Sequence, residues 1–96
     1  MILYLDASAL VKRYVAELGS DEVNAAISRA DVTGTALISR AEVAAALAKA
    51  VRVNALTREE ALVAFQVFRN EWPDLVRVQV TELVIARAGT FAWDHG

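Results

Sequence analysis

Two carboxylates stand where an apolar run gives way to a helical one. Asp6 directly follows Ile2-Leu3-Tyr4-Leu5, and Glu42 lies one turn into the helix expected after the run Thr33–Ile38. In open parallel sheets, ligands bind beyond the carboxyl ends of the strands. If the two runs are neighbouring parallel strands, both acids face one cleft and can share a cation. Magnesium suits such a place, because it takes one or two carboxylates and keeps several waters. A cation there makes a water nucleophilic and offsets charge on a scissile phosphate. Each acid also has a plainer reading. Asp6 is a good N-cap for a helix opening at Ala7. Glu42 closes Ser39-Arg40-Ala41-Glu42, an S-x-x-E pattern whose acid returns to its own cap. Spacing alone leaves both readings open.

Other chemistries are excluded by composition. With no cysteine, neither disulfides nor thiolate zinc sites are available. The single histidine, His95, sits at the far end of the chain, which removes histidine-rich metal sites and a Ser-His-Asp triad. No glycine-rich phosphate loop is present. Carboxylates, hydroxyls and basic residues must do the work. The net charge of −2 gives no global attraction to nucleic acid, so RNA binding needs a local basic group or bridging cations. Arg40, beside Glu42 at a helix start, is the candidate for a phosphate contact. Lys12 and Arg13 read as helix-surface charges.

The elements that must position these groups follow in order. Residues 2–5 form a strand, and Ala7 opens a helix carrying Leu10, Val11 and Tyr14 up to about Glu17. Gly19 breaks it, and Ser20 is placed as the N-cap of a second helix through Val23 and Ile27. A second strand is expected near residues 34–38. An alanine-rich helix from Ser39 then buries Val43, Leu47, Ala50 and Val51. After a break at Asn54, Thr57-Arg58-Glu59-Glu60 reads as a capping box. The helix it opens has Leu62, Phe65, Phe68 and Trp72 on its apolar face and stops at Pro73. Residues 75–79 form a third strand, and Thr81 caps a fifth helix with Val84, Ala88 and Phe91. The order β-α-α-β-α-α-β-α predicts an α/β sandwich on a parallel sheet with right-handed crossovers. Ninety-six residues allow one small domain, and an apolar fraction of 56% makes it a folded one. Small parallel sheets are covered on both faces and flanked by further strands, so residues 1–96 read as a single domain that continues beyond Gly96. The apolar start is too short for a signal segment and no run reaches membrane-spanning length, so a cytoplasmic protein with no membrane contact is expected.

The wording around the two acids resembles a known family. Tyr4-Leu5-Asp6-Ala7-Ser8-Ala9-Leu10-Val11-Lys12-Arg13-Tyr14 is similar to the opening motif of PIN domains, and Ile38-Ser39-Arg40-Ala41-Glu42-Val43-Ala44-Ala45-Ala46-Leu47 to their second. The double-helix insertion between them matches too. The tail Ala92-Trp93-Asp94-His95-Gly96 resembles the segment just before the family's third acid. The resemblance covers the whole chain and points to VapC-type toxins. It implies a three-layer α/β/α fold and a magnesium- or manganese-dependent endoribonuclease, the toxin of a type II toxin–antitoxin pair. It further implies that Asp6 and Glu42 are catalytic, metal-coordinating acids, with Ser8 a hydrogen-bonding partner of Asp6. An antitoxin protein, an RNA substrate and a second copy of the chain are the implied partners. The third and later acids of the family would lie beyond Gly96; Asp94 falls before that position. On this reading the 96 residues alone are not expected to cleave RNA.

Two other functions compete. A PIN-like module without a complete metal site could bind an antitoxin or itself and cut nothing. An aspartate-dependent phosphatase of the haloacid-dehalogenase type would use Asp6 as a nucleophile. That family wants a second aspartate two residues on, where Ser8 stands.

Overall fold

The structure, a computed structural model, describes residues 1–79. Three short strands, β1 (Ile2–Tyr4), β2 (Val32–Ala36) and β3 (Val76–Val78), form a sheet in the order β1-β2-β3. Both pairings are parallel, with Tyr4 opposite Gly34 and Gly34 opposite Val76. Four helices connect them: α1 (Ala7–Tyr14), α2 (Ser20–Arg29), α3 (Ser39–Arg52) and α4 (Arg58–Glu71). A 3₁₀ turn at Trp72–Asp74 takes Pro73 and delivers the chain to β3. The expected order of elements is therefore present through the third strand. The fifth helix expected from Thr81, and the tail with Asp94 and His95, lie outside the described residues.

Local chemistry explains most of the element ends. Asp6 has extended backbone and accepts from the Ala9 N–H, so it caps α1 as expected. Thr57 and Glu60 form the reciprocal capping box that opens α4. Asn54, between α3 and α4, takes a φ of 60°, a left-handed conformation that asparagine tolerates. Three expectations are corrected. The first helix ends at Tyr14, not near Glu17: Val15 is extended, and Lys12 Nζ reaches forward to the Leu18 carbonyl at 2.8 Å, holding the turn. Ser20 is not the N-cap of α2. Gly19 is, at φ 94°, while the Ser20 hydroxyl accepts from Glu17 N–H and donates to the Val15 carbonyl. Ser39 does not cap α3 either, as the site shows below.

A single apolar cluster holds the described elements together. Leu5, Leu10, Val43, Leu47, Ala61, Ala64 and Phe68 are buried, and Leu3, Tyr14, Val23, Ile27 and Trp72 pack against them. Small Ala61 and Ala64 on α4 lie between that helix and the rest of the cluster. Phe68 is fully buried, with the rings of Tyr14 at 5.3 Å and Trp72 at 5.4 Å in edge contact. Leu62, expected on the same stripe, is 60% exposed. It lies about 100° per residue from its neighbour Ala61, and Ala61 is the position that turns inward. The helices and the inward positions Leu3, Leu5, Thr33 and Thr35 share one face of the sheet. Among the described residues the other face carries exposed Ile2, Tyr4, Val32, Val76 and Val78. Two layers of the expected three-layer α/β/α sandwich are thus described. No described helix is long and apolar enough to cross a membrane.

Candidate functional site

The carboxyl edge of the sheet is built by two strand-to-helix turns. At the first, Leu5 continues the ladder by donating its N–H to Gly34 at 2.9 Å, and Asp6 follows. The Asp6 carboxylate is exposed, and its Oδ1 accepts both the Ala9 N–H at 2.9 Å and the Ser8 hydroxyl at 3.0 Å. Those two donors favour the charged form and hold Asp6 below the usual carboxylate range, the Ala9 amide contributing most. Oδ2 has no hydrogen-bond partner among the described residues. Ser8 therefore stands beside Asp6.

At the second turn, β2 runs through Thr35 and Ala36 into Leu37 and Ile38, and α3 begins. The S-x-x-E pattern predicts that Ser39 caps this helix and that Glu42 folds back on the cap. Neither happens. Ile38, in helical conformation, occupies the N-cap position with no side-chain bond, and its carbonyl accepts from Ala41 and Glu42. Ser39 is the first helical residue and only 2% exposed, its hydroxyl 2.8 Å from that of Thr35. The Glu42 side chain is exposed and makes no hydrogen bond or ion pair among the described residues. Arg40, on the same first turn, is likewise exposed and uses its guanidinium in no such bond. Lys12 and Arg13 point elsewhere. Lys12 bonds the loop after α1, and Arg13 pairs with Glu71 and Asn24.

Asp6 and Glu42 therefore both follow the carboxyl ends of neighbouring parallel strands, Asp6 capping α1 and Glu42 in the first turn of α3, on helices that pack against each other, and both side chains are exposed. Their donors are oxygen alone, which suits a hard cation. No group of three or more acids or histidines converges among the described residues. One groove between α1 and α3 is lined by Ser8, Lys12 and Leu47, and another at the opposite sheet edge by Asp31, Asp74 and Glu71. The acids sit on an open edge, not in a closed cleft.

Comparison with known proteins finds curated relatives of the chain. The chain is 34% identical over 94 residues to Ribonuclease VapC45 and, at the same identity, to Ribonuclease VapC49, from two strains of Mycobacterium tuberculosis. Each match takes in 98% of the chain and 65% of the relative. Over nearly its whole length the chain is thus similar to proteins named VapC ribonucleases. No family model matches it. The chain spans just under two thirds of the length of these curated relatives, and both Asp6 and Glu42 fall within the matched span.

One feature of this edge is not marked by any local sequence pattern. Thr35 is fully buried and bonds both turns. The available signal was its inward register: Leu3 pairs with Thr33, so Thr35 falls on the core face of β2, where a polar side chain needs a partner.

Proposed function

We propose that this chain carries the first two metal-holding acids, Asp6 and Glu42, of a divalent-metal-dependent endoribonuclease, the toxin of a type II toxin–antitoxin system. One observation carries the reading. Glu42 stands in a sequence that should fold it onto its own helix cap, yet its side chain is left exposed, in the helix that follows the strand paired with the one leading into Asp6. The similarity to two proteins named ribonucleases supports a nuclease role for these acids.

Asp6 and Glu42 would hold magnesium or manganese, and the residues fit it: two exposed carboxylates, with Asp6 kept ionised by its neighbours. When bound, the cation polarises a phosphoryl oxygen and lowers the pKa of a water. The chain's own residues do the rest. Ser8 and the Ala9 amide fix Asp6 in one rotamer, so its second oxygen is presented rather than searching. Arg40, on the first turn of α3, offers a planar donor pair to a substrate phosphate, near a helix N-terminus that already favours anions. The partners on this reading are an RNA substrate, a cognate antitoxin and a second copy of the chain.

The test is cleavage of a structured RNA by the product of the uninterrupted reading frame that contains this sequence. Metal-dependent cleavage, blocked by a chelator and lost in Asp6→Asn and in Glu42→Gln, is expected. A protein that binds an antitoxin and cuts no RNA with either metal is the non-catalytic module instead.

A further inference from the structure

Linking the two strand-to-helix turns is a buried pair of hydroxyls that the proposed chemistry does not use. Thr35 is 0% exposed and Ser39 2%. Thr35 Oγ1 is 2.7 Å from the Leu5 carbonyl oxygen and 2.8 Å from Ser39 Oγ. A carbonyl only accepts and a hydroxyl has one proton, so Thr35 donates to Leu5 and accepts from Ser39. The result is a directed chain, Ser39 to Thr35 to the Leu5 carbonyl. That carbonyl belongs to the peptide bond leading into Asp6. Ser39 is the first residue of α3, and Glu42 lies three residues further along the same turn. Among the described residues no other hydrogen bond joins the Leu5–Asp6 turn to α3.

We infer that Thr35 and Ser39 are positioning residues that set the spacing of the Asp6 and Glu42 carboxylates, a role that rests on the metal-site reading above. The physical reason is the need for a hydroxyl at each step. An ordinary N-cap serine would have satisfied the helix end and left α3 free to tilt on its apolar contacts. Here the serine side chain is spent on β2, which fixes where the first turn of α3 sits relative to the peptide that carries Asp6. A cation bound by two carboxylates is sensitive to their spacing, because a misplaced ligand is lost outright or replaced by water. The pair also lies in the apolar interior, where bonded hydroxyls resist rearrangement.

The experiment is manganese binding to the 96-residue chain, followed by electron paramagnetic resonance of the free ion, with thermal unfolding in chelator measured alongside. Four variants are compared with wild type: Thr35→Val, Thr35→Ser, Ser39→Ala and, as control, Asp6→Asn. Thr35→Val keeps the shape and removes the hydroxyl, and it should weaken manganese binding about tenfold, in the range found for groups that orient metal ligands. Thr35→Ser removes a methyl group, keeps the hydroxyl and should restore wild-type affinity within about twofold, even where it melts lower than wild type. Ser39→Ala should fall between them. If Thr35→Val unfolds the chain, the Thr35→Ser and Ser39→Ala pair still decides, since both remain well packed. Affinity that follows melting temperature across the variants, or that is unchanged in folded Thr35→Val or Ser39→Ala, overturns the positioning role alone. Wild-type binding that Asp6→Asn does not weaken overturns the metal site, and the positioning role falls with it.

Discussion

The guanidinium of Arg13 grips the Glu71 carboxylate with two nitrogens, at 3.0 and 3.3 Å, and so ties α1 to the end of α4. Arg13 also donates to Asn24 at 2.9 Å, bringing α2 into the same cluster. This clamp lies at the far end of α1 from Asp6. It therefore supports the helix that carries the site without touching the site.

Its pH dependence has a definite sign. The Arg13 hydrogen bonds hold Glu71 below the usual carboxylate range. A depressed carboxylate contributes stability that is present above its unfolded value and lost as pH falls through the folded one. Both side chains are about one-third exposed, so the pair is screened. Glu71→Gln should cost about 0.5–1 kcal/mol near pH 7. The difference from wild type should shrink on acidification below the ordinary glutamate range. Urea unfolding at both pH values measures it, and an unchanged difference in acid would show that the pair stabilises through packing.

The capping box of α4 makes a separate prediction. The Thr57 hydroxyl accepts from the Glu60 N–H, and the Glu60 carboxylate accepts from the Thr57 N–H. Thr57→Ala should destabilise by about 1 kcal/mol. Thr57→Ser or Thr57→Asp should cost much less. Equal losses in all three would mean that the threonine methyl, not the cap, matters.

Phe68 and Leu62 give a contrast on one helix. Phe68 is fully buried among Tyr14, Phe65 and Trp72, and Leu62 stands 60% exposed. Phe68→Ala should cost about 3–5 kcal/mol, a large share of the stability of so small a domain. Leu62→Ala should stay within about 0.5 kcal/mol, as surface changes do. Chemical denaturation of the two variants separates them, and a large loss in Leu62→Ala would place that side chain against residues outside 1–79.

The same two residues show how far the sequence could be read. The strands, helices and parallel order follow from periodicity and from breaks at Gly19, Asn54 and Pro73. Asp6, as N-cap and as exposed acid, was legible because one side chain can do both. Leu62 was misplaced because a stripe of large apolar residues outranks alanine in any pattern, whereas this core wants small Ala61 and Ala64 facing it. Ser20 and Ser39 were misplaced for a different reason. Each sits where a helix begins, but Gly19 takes the left-handed cap at φ 94° and buried Thr35 captures the Ser39 hydroxyl. Competition for a hydroxyl is tertiary, and no local pattern records it. Its local result is that Ser39 turns to Thr35 and the Glu42 side chain stays exposed.

The central claim is that Asp6 and Glu42 hold one divalent cation between them. Paramagnetic broadening by substoichiometric manganese, read in the amide spectrum of the labelled 96-residue chain, tests it most directly. Signals of Asp6–Ala9 and of Arg40–Val43 should broaden together at the same manganese concentration, and Asp6→Asn or Glu42→Gln should relieve both sets. Broadening confined to one turn, or centred on Asp31 and Asp74 at the opposite edge of the sheet, would contradict it.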